Sequence, residues 1–294
     1  MKALAAALML VMGVVMTCSA QYNFTTVDYP GASITRLVGI NDHVDIVGNY
    51  TLPGGVRHAF IYAKGQLSPL DPNGILGTHT SAANQINNRG GISGWYVDGS
   101  GRHGYVLKDG VVNTINYPGA SFTQVNGVTD TEIVIGHFIG SDGHFHGFIL
   151  QDGSFKQLDF PGANDTFPFY MNARGDLVGE WTPFSGVAGH GFLLTKDGQW
   201  TSIDAPGAPD NSTLAIGVND HDQVLGEFFQ QNGQPRAFLV DASKLQSPEA
   251  FVFVDFPWQP SFPETINDVG VFVGFYADAT GTHGFVAKPV PAAN

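Results

Sequence analysis

From Phe24 onward, short runs of β-branched and aromatic residues alternate with polar ones between Gly, Asn, Asp or Pro, and no window carries a helical period. In the first group the runs are Thr35 to Ile40, Asp45 to Tyr50, His58 to Ala63 and Leu67 to Leu70. They predict four strands, a to d. The phrase then recurs through six copies. An Asp or Asn, mostly followed one residue later by Pro-Gly, stands at Asp28, Asp71, Asn116, Asp159, Asp204 and Asp255. An Asn or Thr follows at Asn41, Asn87, Thr129, Asn172, Asn219 and Asn267. A Gly-x-aromatic phrase comes next, with its glycine at Gly48, Gly94, Gly136, Gly179, Gly226 and Gly274. The last anchor heads His-(Gly/Ala)-(Phe/Tyr) at His58, His103, His146, His190, Arg236 and His283.

The first anchors lie 43, 45, 43, 45 and 51 residues apart, the length of a four-stranded propeller blade. The copies are also out of phase with the chain. Phe24 to Asp28 reads as a lone d strand, while the sixth copy stops after its c strand at His283 to Lys288. The expectation is an all-β, six-bladed β-propeller with four antiparallel strands per blade, its ring closed by the N-terminal strand so that no edge is left open.

His58-Ala59-Phe60, with His103-Gly-Tyr, His146-Gly-Phe, His190-Gly-Phe and His283-Gly-Phe, resembles the HAF-repeat family of extracellular repeat proteins. Arg236-Ala-Phe departs from that pattern. The resemblance implies an exported repeat protein and brings no catalytic motif with it.

The amino terminus agrees. Lys2, the apolar run Ala3 to Met16 and small residues up to Ala20 are laid out as a secretory signal peptide. This gives residues 1–20 as signal peptide, 21–289 as one propeller domain and 290–294 as a short tail. Cleavage near Ala20 is favoured over lipidation at Cys18, because Thr17 is a poor residue before a lipidated cysteine. Cleavage removes the only cysteine, and with it thiol chemistry and disulfides. The formal charge of −13 repels phosphate backbones, so nucleic acid is not an expected partner. No later stretch is apolar for long enough to span a bilayer. The expected state is a secreted monomer with no cofactor and no metal.

A residue type present in every copy builds blades, so the repeats cancel many candidate functional residues. Arg236 in place of His implies that the shared property is hydrogen-bond donation. Asn116 in place of Asp implies an acceptor oxygen for a turn amide. The aromatics of Gly-x-aromatic read as packing between blades. Thr35, Ser81, Thr123, Thr166, Thr213 and Ser261 put a hydroxyl at the start of every innermost strand, either bonding backbone or ringing a channel mouth.

What breaks the repeat is where function would sit. Glu180 and Glu227 share one column in neighbouring copies, the weak catalytic candidates, since paired carboxylates cleave glycosides while solvated glutamates do nothing. Asp142, His144, His146 and His137 are metal-type ligands close in sequence, and Arg36 with Glu264 would pair across the closure. Loop lengths vary most in the d-to-a and b-to-c connections, which share one face. Phe145, Phe184, Trp258 and Phe262 on that face are candidate ligand-stacking residues. The first functional reading is a non-enzymatic binding or scaffold module for an extracellular carbohydrate or protein ligand. Its rival is a polysaccharide hydrolase or lyase, which clustering of Glu180, Glu227 and other non-repeat acids in one pocket would favour.

Overall fold

The computed structural model describes residues 19–70, 74–184 and 189–290; the expected signal peptide up to Cys18, Asp71 and the tail beyond Val290 lie outside them. The described chain is all-β, with one helical turn at Ile75–Thr78 and two short 3-10 turns in the insertion after Asp241. Six units follow one another, each opening on an innermost strand: Ile34–Ile40, Thr80–Ile86, Thr123–Val128, Asp165–Met171, Thr213–Val218 and Ser261–Ile266. Within each unit the strands pair antiparallel in chain order, as Thr123–Val128, Val134–Ile139, Phe145–Gln151 and Ser154–Leu158 do in the third.

The sixth unit contributes three strands of its own. Its fourth is Tyr22–Val27, antiparallel to Gly281–Pro289 from Tyr22↔Pro289 to Val27↔Gly284. The driving force is visible in the side chains: Phe24 packs its ring 5.5 Å from Phe256, 5.7 Å from Phe285 and 6.0 Å from Trp258. One pairing differs from the expected four antiparallel strands. Ser19–Ala20 adds parallel to Val252–Val254, making the fifth sheet mixed and five-stranded. That outer strand is only three residues long and leaves a free edge, to which extended backbone adds. Ser19 and Ala20 fall in the expected signal peptide, so cleavage at Ala20 would remove this strand.

The apolar side chains form six clusters, each shared by neighbouring units. One joins Leu37, Ile40 and Phe60 of the first unit to Val271, Val273 and Val286 of the sixth. A polar girdle runs the same way at the a-to-b turns. Asn41 Nδ2 donates to Asn87 O, Asn87 to Thr129 O, Asn172 to Asn219 O, Asn219 to Asn267 O, and Asn267 to Asn41 O at 3.0 Å. A second course uses the next residue, whose backbone N–H donates to the following unit's side chain, as Asp268 does to Asp42 at 2.9 Å. Both courses stop between units three and four. Thr129 has no amide to send across, and Ala173 has no side-chain oxygen to receive Asp130.

Every a–b pair carries a one-residue β-bulge at the same place, skipping Val38, Asn84, Asn126, Phe169, Ile216 and Glu264 in turn. A bulge re-aims the residue it skips. All six skipped residues line one cavity on the central axis.

Candidate functional site

The axial cavity measures about 280 Å³ and lies toward the d-to-a and b-to-c end of the innermost strands. Besides the bulge residues, Gln85, Gln124, Tyr170, Leu214, Glu227, Phe262, Thr265 and Phe275 line it. Tyr170 and Gln85 also line a smaller cavity of about 50 Å³ at the a-to-b turns, so this pair forms the partition between the two. Both sit in the column where other units have Gly39, Gly127 and Gly217, and glycine leaves the room they fill. A Cβ at Gly127 would collide with the Gln85 Oε1 that accepts from Val128 N.

The residue between the Gly and the aromatic of strand b is buried at Asn49, Trp95, His137 and Glu227 and half-buried at Glu180 and Phe275. Asn49 bonds the backbone of Ala83 with both ends of its amide, at 2.9 and 3.1 Å. Trp95 lies under the guanidinium of Arg102 at 4.0 Å. His137 Nδ1 accepts from Asn126 at 3.1 Å, and burial, helped by the charge of Arg102, pushes its pKa down to about 3. The ring is therefore neutral.

In the next two units this column holds Glu180 and Glu227, and they are not solvated glutamates. Glu227 is 7% exposed, and its Oε2 has no hydrogen-bond partner. Burial, with the fields of Glu264 and Glu180, raises its pKa well above the ordinary carboxylate range. Glu264 keeps part of its surface open; burial raises its pKa to about 7, against the opposing charge of Arg36. Glu180 accepts from Gly189 N at 2.8 Å, which offsets part of its burial and leaves its pKa at about 7. Glu227 and Glu264 thus face one cavity, with Glu180 close enough to be felt.

Arg36 does not form the expected ion pair with Glu264. It lies 4.3 Å over the ring of Phe275, and its Nε is the other buried polar atom without a partner among the described residues. Of the four aromatic candidates, Phe262 lines the cavity, stacked 4.9 Å from Phe275. Phe145 packs against Phe122, Phe167 and His137 beside the axis. Phe184 is 70% exposed. Trp258 has a structural role: it is half-buried, stacks on Tyr276 at 4.1 Å and lies against Phe24 and Phe285.

The hydroxyl column also resolves to structure. Thr35, Thr123, Thr166 and Thr213 accept from the backbone N–H of Tyr29, Tyr117, Phe160 and Ala205, while Ser81 and Ser261 donate to carbonyls. All six are buried and hold the d-to-a turn, not a channel mouth. The repeat His donates as expected, to the Asp/Asn anchor, which receives a ring nitrogen instead of the expected turn amide: His103 Nδ1 to Asn116 at 2.8 Å, His146 to Asp159 and His283 to Asp28 at 2.9 Å. The aromatic of Gly-x-aromatic meets rings from the d-to-a turn and from the repeat His, as Tyr50 lies between Tyr29 at 3.7 Å and His58 at 5.6 Å. It also packs between blades, as expected: Tyr50 shares a cluster with Val271, Val273 and Val286 of the sixth unit, and Tyr276 one with Leu225 and Leu239 of the fifth. His146 sits between Asp142 and Asp159, apart from the buried His137, so the expected metal-type residues do not form one set.

Searches of protein-family models and of curated proteins give no match. Solved structures do match. A gluconolactonase from Xanthomonas campestris aligns over 94% of this chain and 97% of its own at 11% identity, with a TM-score of 0.54. TolB from Acinetobacter baumannii aligns over 88% and 64% at 9% identity, also at 0.54. A neuraminidase-like protein from a little yellow-shouldered bat isolate aligns over 93% and 100% at 9% identity and 0.54. The fold is a β-propeller. At these identities the likeness is one of architecture, and each propeller carries its own site.

Proposed function

We propose that this chain is an exported, non-enzymatic binding module: a closed six-bladed propeller of the HAF-repeat kind that takes a small ligand into its axial cavity. Closure is supported by Tyr22–Val27 completing the sixth unit and by the Asn267 and Asp268 bonds back to the first. Export rests on the sequence of residues 1–20, and a monomeric state on each unit having its neighbours within the chain.

The observation that carries the binding reading is Glu227: a carboxyl on the cavity wall, almost wholly buried, with one oxygen unpartnered. A buried carboxyl left without a partner costs about 1–3 kcal/mol, and a ligand donor in the cavity would recover it. The volume suits one small molecule and is too small for a polymer chain.

A second reading, a polysaccharide hydrolase or lyase, draws on the convergence of Glu227 and Glu264 with Glu180 nearby. Against it, burial raises Glu227 well above the ordinary range and leaves Glu180 and Glu264 at about 7, half ionised at neutral pH, so none of the three is held firmly in the ionised form that the second carboxylate of that mechanism takes. Incubating the purified mature protein with glycans, peptides and small metabolites, scored for binding and for turnover, decides between them. Binding without turnover, weakened by Phe262→Ala, is the expected result; turnover abolished by Glu227→Gln would establish the enzyme instead.

A further inference from the structure

The propeller axis carries acids at both ends. Among the described residues no Lys, Arg or His lines either of its cavities, whereas Glu227 and Glu264 face the larger one and Asp42, Asp130, Asp220 and Asp268 the smaller. Arg36 and Arg102 lie outside both linings, Arg36 over Phe275 and Arg102 over Trp95 and Phe122. The charges that act on Glu227 are those of Glu264 and Glu180, both acids.

The other polar side chains on the wall of the larger cavity already have protein partners. Asn84 and Asn126 donate to the carbonyls of Val125 and Pro168, Gln85 accepts from Val128 N and bonds Tyr170, Gln124 accepts from Arg102, and Thr265 donates to Val38 O. Glu227, 7% exposed, keeps Oε2 as an acceptor without a partner, and Glu264 keeps part of its surface open. Phe262, Phe169 and Leu214 supply apolar wall, while Phe275 is covered by Arg36 and by Phe262. A molecule that answers these features donates hydrogen bonds, carries positive charge and has a compact apolar body.

We propose that the axial cavity binds a small primary amine in its ammonium form, the ammonium donating to Glu227 and lying beside Glu264, and the apolar body resting on Phe262, Phe169 and Leu214. This rests on the reading of the cavity as a binding site and names its ligand class. An ammonium answers the unpartnered oxygen with a charge-assisted hydrogen bond, and the negative faces of the aromatic rings favour the same charge. A quaternary ammonium brings the charge without a donor and leaves Oε2 unanswered. A sugar brings donors without the charge, and the wall amides it would use are already engaged. An ammonium entering beside protonated Glu227 draws the carboxyl back to its ionised form, so binding near neutral pH releases protons. The groups facing Glu227 that share in this titration are Glu180 and Glu264, with Arg36 acting on Glu264.

The test uses the mature protein and a panel of linear and arylalkyl primary amines, each with the alcohol and the trimethylammonium compound of the same skeleton, beside a panel of neutral sugars. Thermal shift finds the binders, and calorimetry in two buffers of different ionisation enthalpy measures affinity and proton release. At least one amine should bind with proton release. Its alcohol and trimethylammonium counterparts should each bind about 30-fold more weakly or worse, as should the amine itself to Glu227→Gln. Glu264→Gln should retain binding at reduced strength, and melting of both variants separates lost contacts from misfolding. An alcohol or trimethylammonium compound that binds as well as its amine, or an amine indifferent to Glu227→Gln, would overturn the proposal. Sugars or alcohols that bind in place of amines, and are weakened by Phe262→Ala, would overturn the amine and leave a binding cavity standing. If nothing in either panel binds, the cavity is not a binding site and both readings fall.

Discussion

Replacing Glu264 with Gln should change how stability depends on pH, and the structure fixes both the sign and the size. Folding raises the Glu264 pKa from 4.5 to about 7. The folded state therefore holds this proton more tightly than the unfolded state. The stability it contributes is full below pH 4.5 and is lost as pH rises through 7. Each pKa unit corresponds to about 1.4 kcal/mol, so raising the pH from 5 to 8 should cost the wild type at most about 3 kcal/mol through this residue. Gln keeps the shape and does not titrate. Urea unfolding at pH 5 and pH 8 measures it, and the wild-type-minus-variant difference cancels the groups that do not feel Glu264, including His137, whose lowered pKa acts in the opposite direction, and leaves only the coupled Glu227 to add to it. Glu264→Gln should gain on the wild type by up to that amount at pH 8. A difference that stays constant across the interval would mean that the carboxyl is not held in the protonated form.

The remaining predictions concern the scaffold. Deleting Tyr22–Val27 removes the fourth strand of the sixth unit and the Phe24 contacts, so the truncated protein should melt well below the full chain and aggregate; light scattering and calorimetry would detect it. His146→Arg should be less destabilising than His146→Ala by about 1 kcal/mol, because Arg can still donate to Asp159; equal losses in urea would remove the donor role. Trp258→Ala should cost about 3–5 kcal/mol of stability, through its stack on Tyr276 and cover over Phe24, whereas Phe184→Ala, at an exposed position, should leave stability within about 0.5 kcal/mol.

The architecture was legible because every copy obeys the same local rules. The Gly of Gly-x-aromatic recurs because a Cβ there would meet the carbonyl of strand a and the ring from strand c, as at Gly48 with Arg36 O and Phe60. The lone strand before the first copy announced its pairing with the last. The site was legible only in part. Glu180 and Glu227 stood out as breaks in a shared column, but their burial depends on how neighbouring units close over strand b, which one unit's pattern does not contain. Charge alone pairs Glu264 with Arg36, whereas in the fold Arg36 lies over Phe275. The missed signal was the bulge column, Val38, Asn84, Asn126, Phe169, Ile216 and Glu264, where a single acid among apolar and amide residues marks the cavity. Trp258 shows the converse, a residue that looks like a break in the repeat and fills one of its roles. In the first, third and fourth units the Gly-x-aromatic ring has a stacking partner from the turn before strand a, as in Tyr29 on Tyr50, Tyr117 on Phe138 and Phe160 on Trp181, and Trp258 fills that role for Tyr276.

The most direct test of an axial binding site is a crystal structure of the mature protein grown with its best-binding small molecule from the screens. The account predicts ordered ligand density on the axis, above Tyr170 and Gln85, within hydrogen-bond distance of Glu227. Ligand bound on the outer blade faces or at the a-to-b turns, with only water beside Glu227, would contradict it.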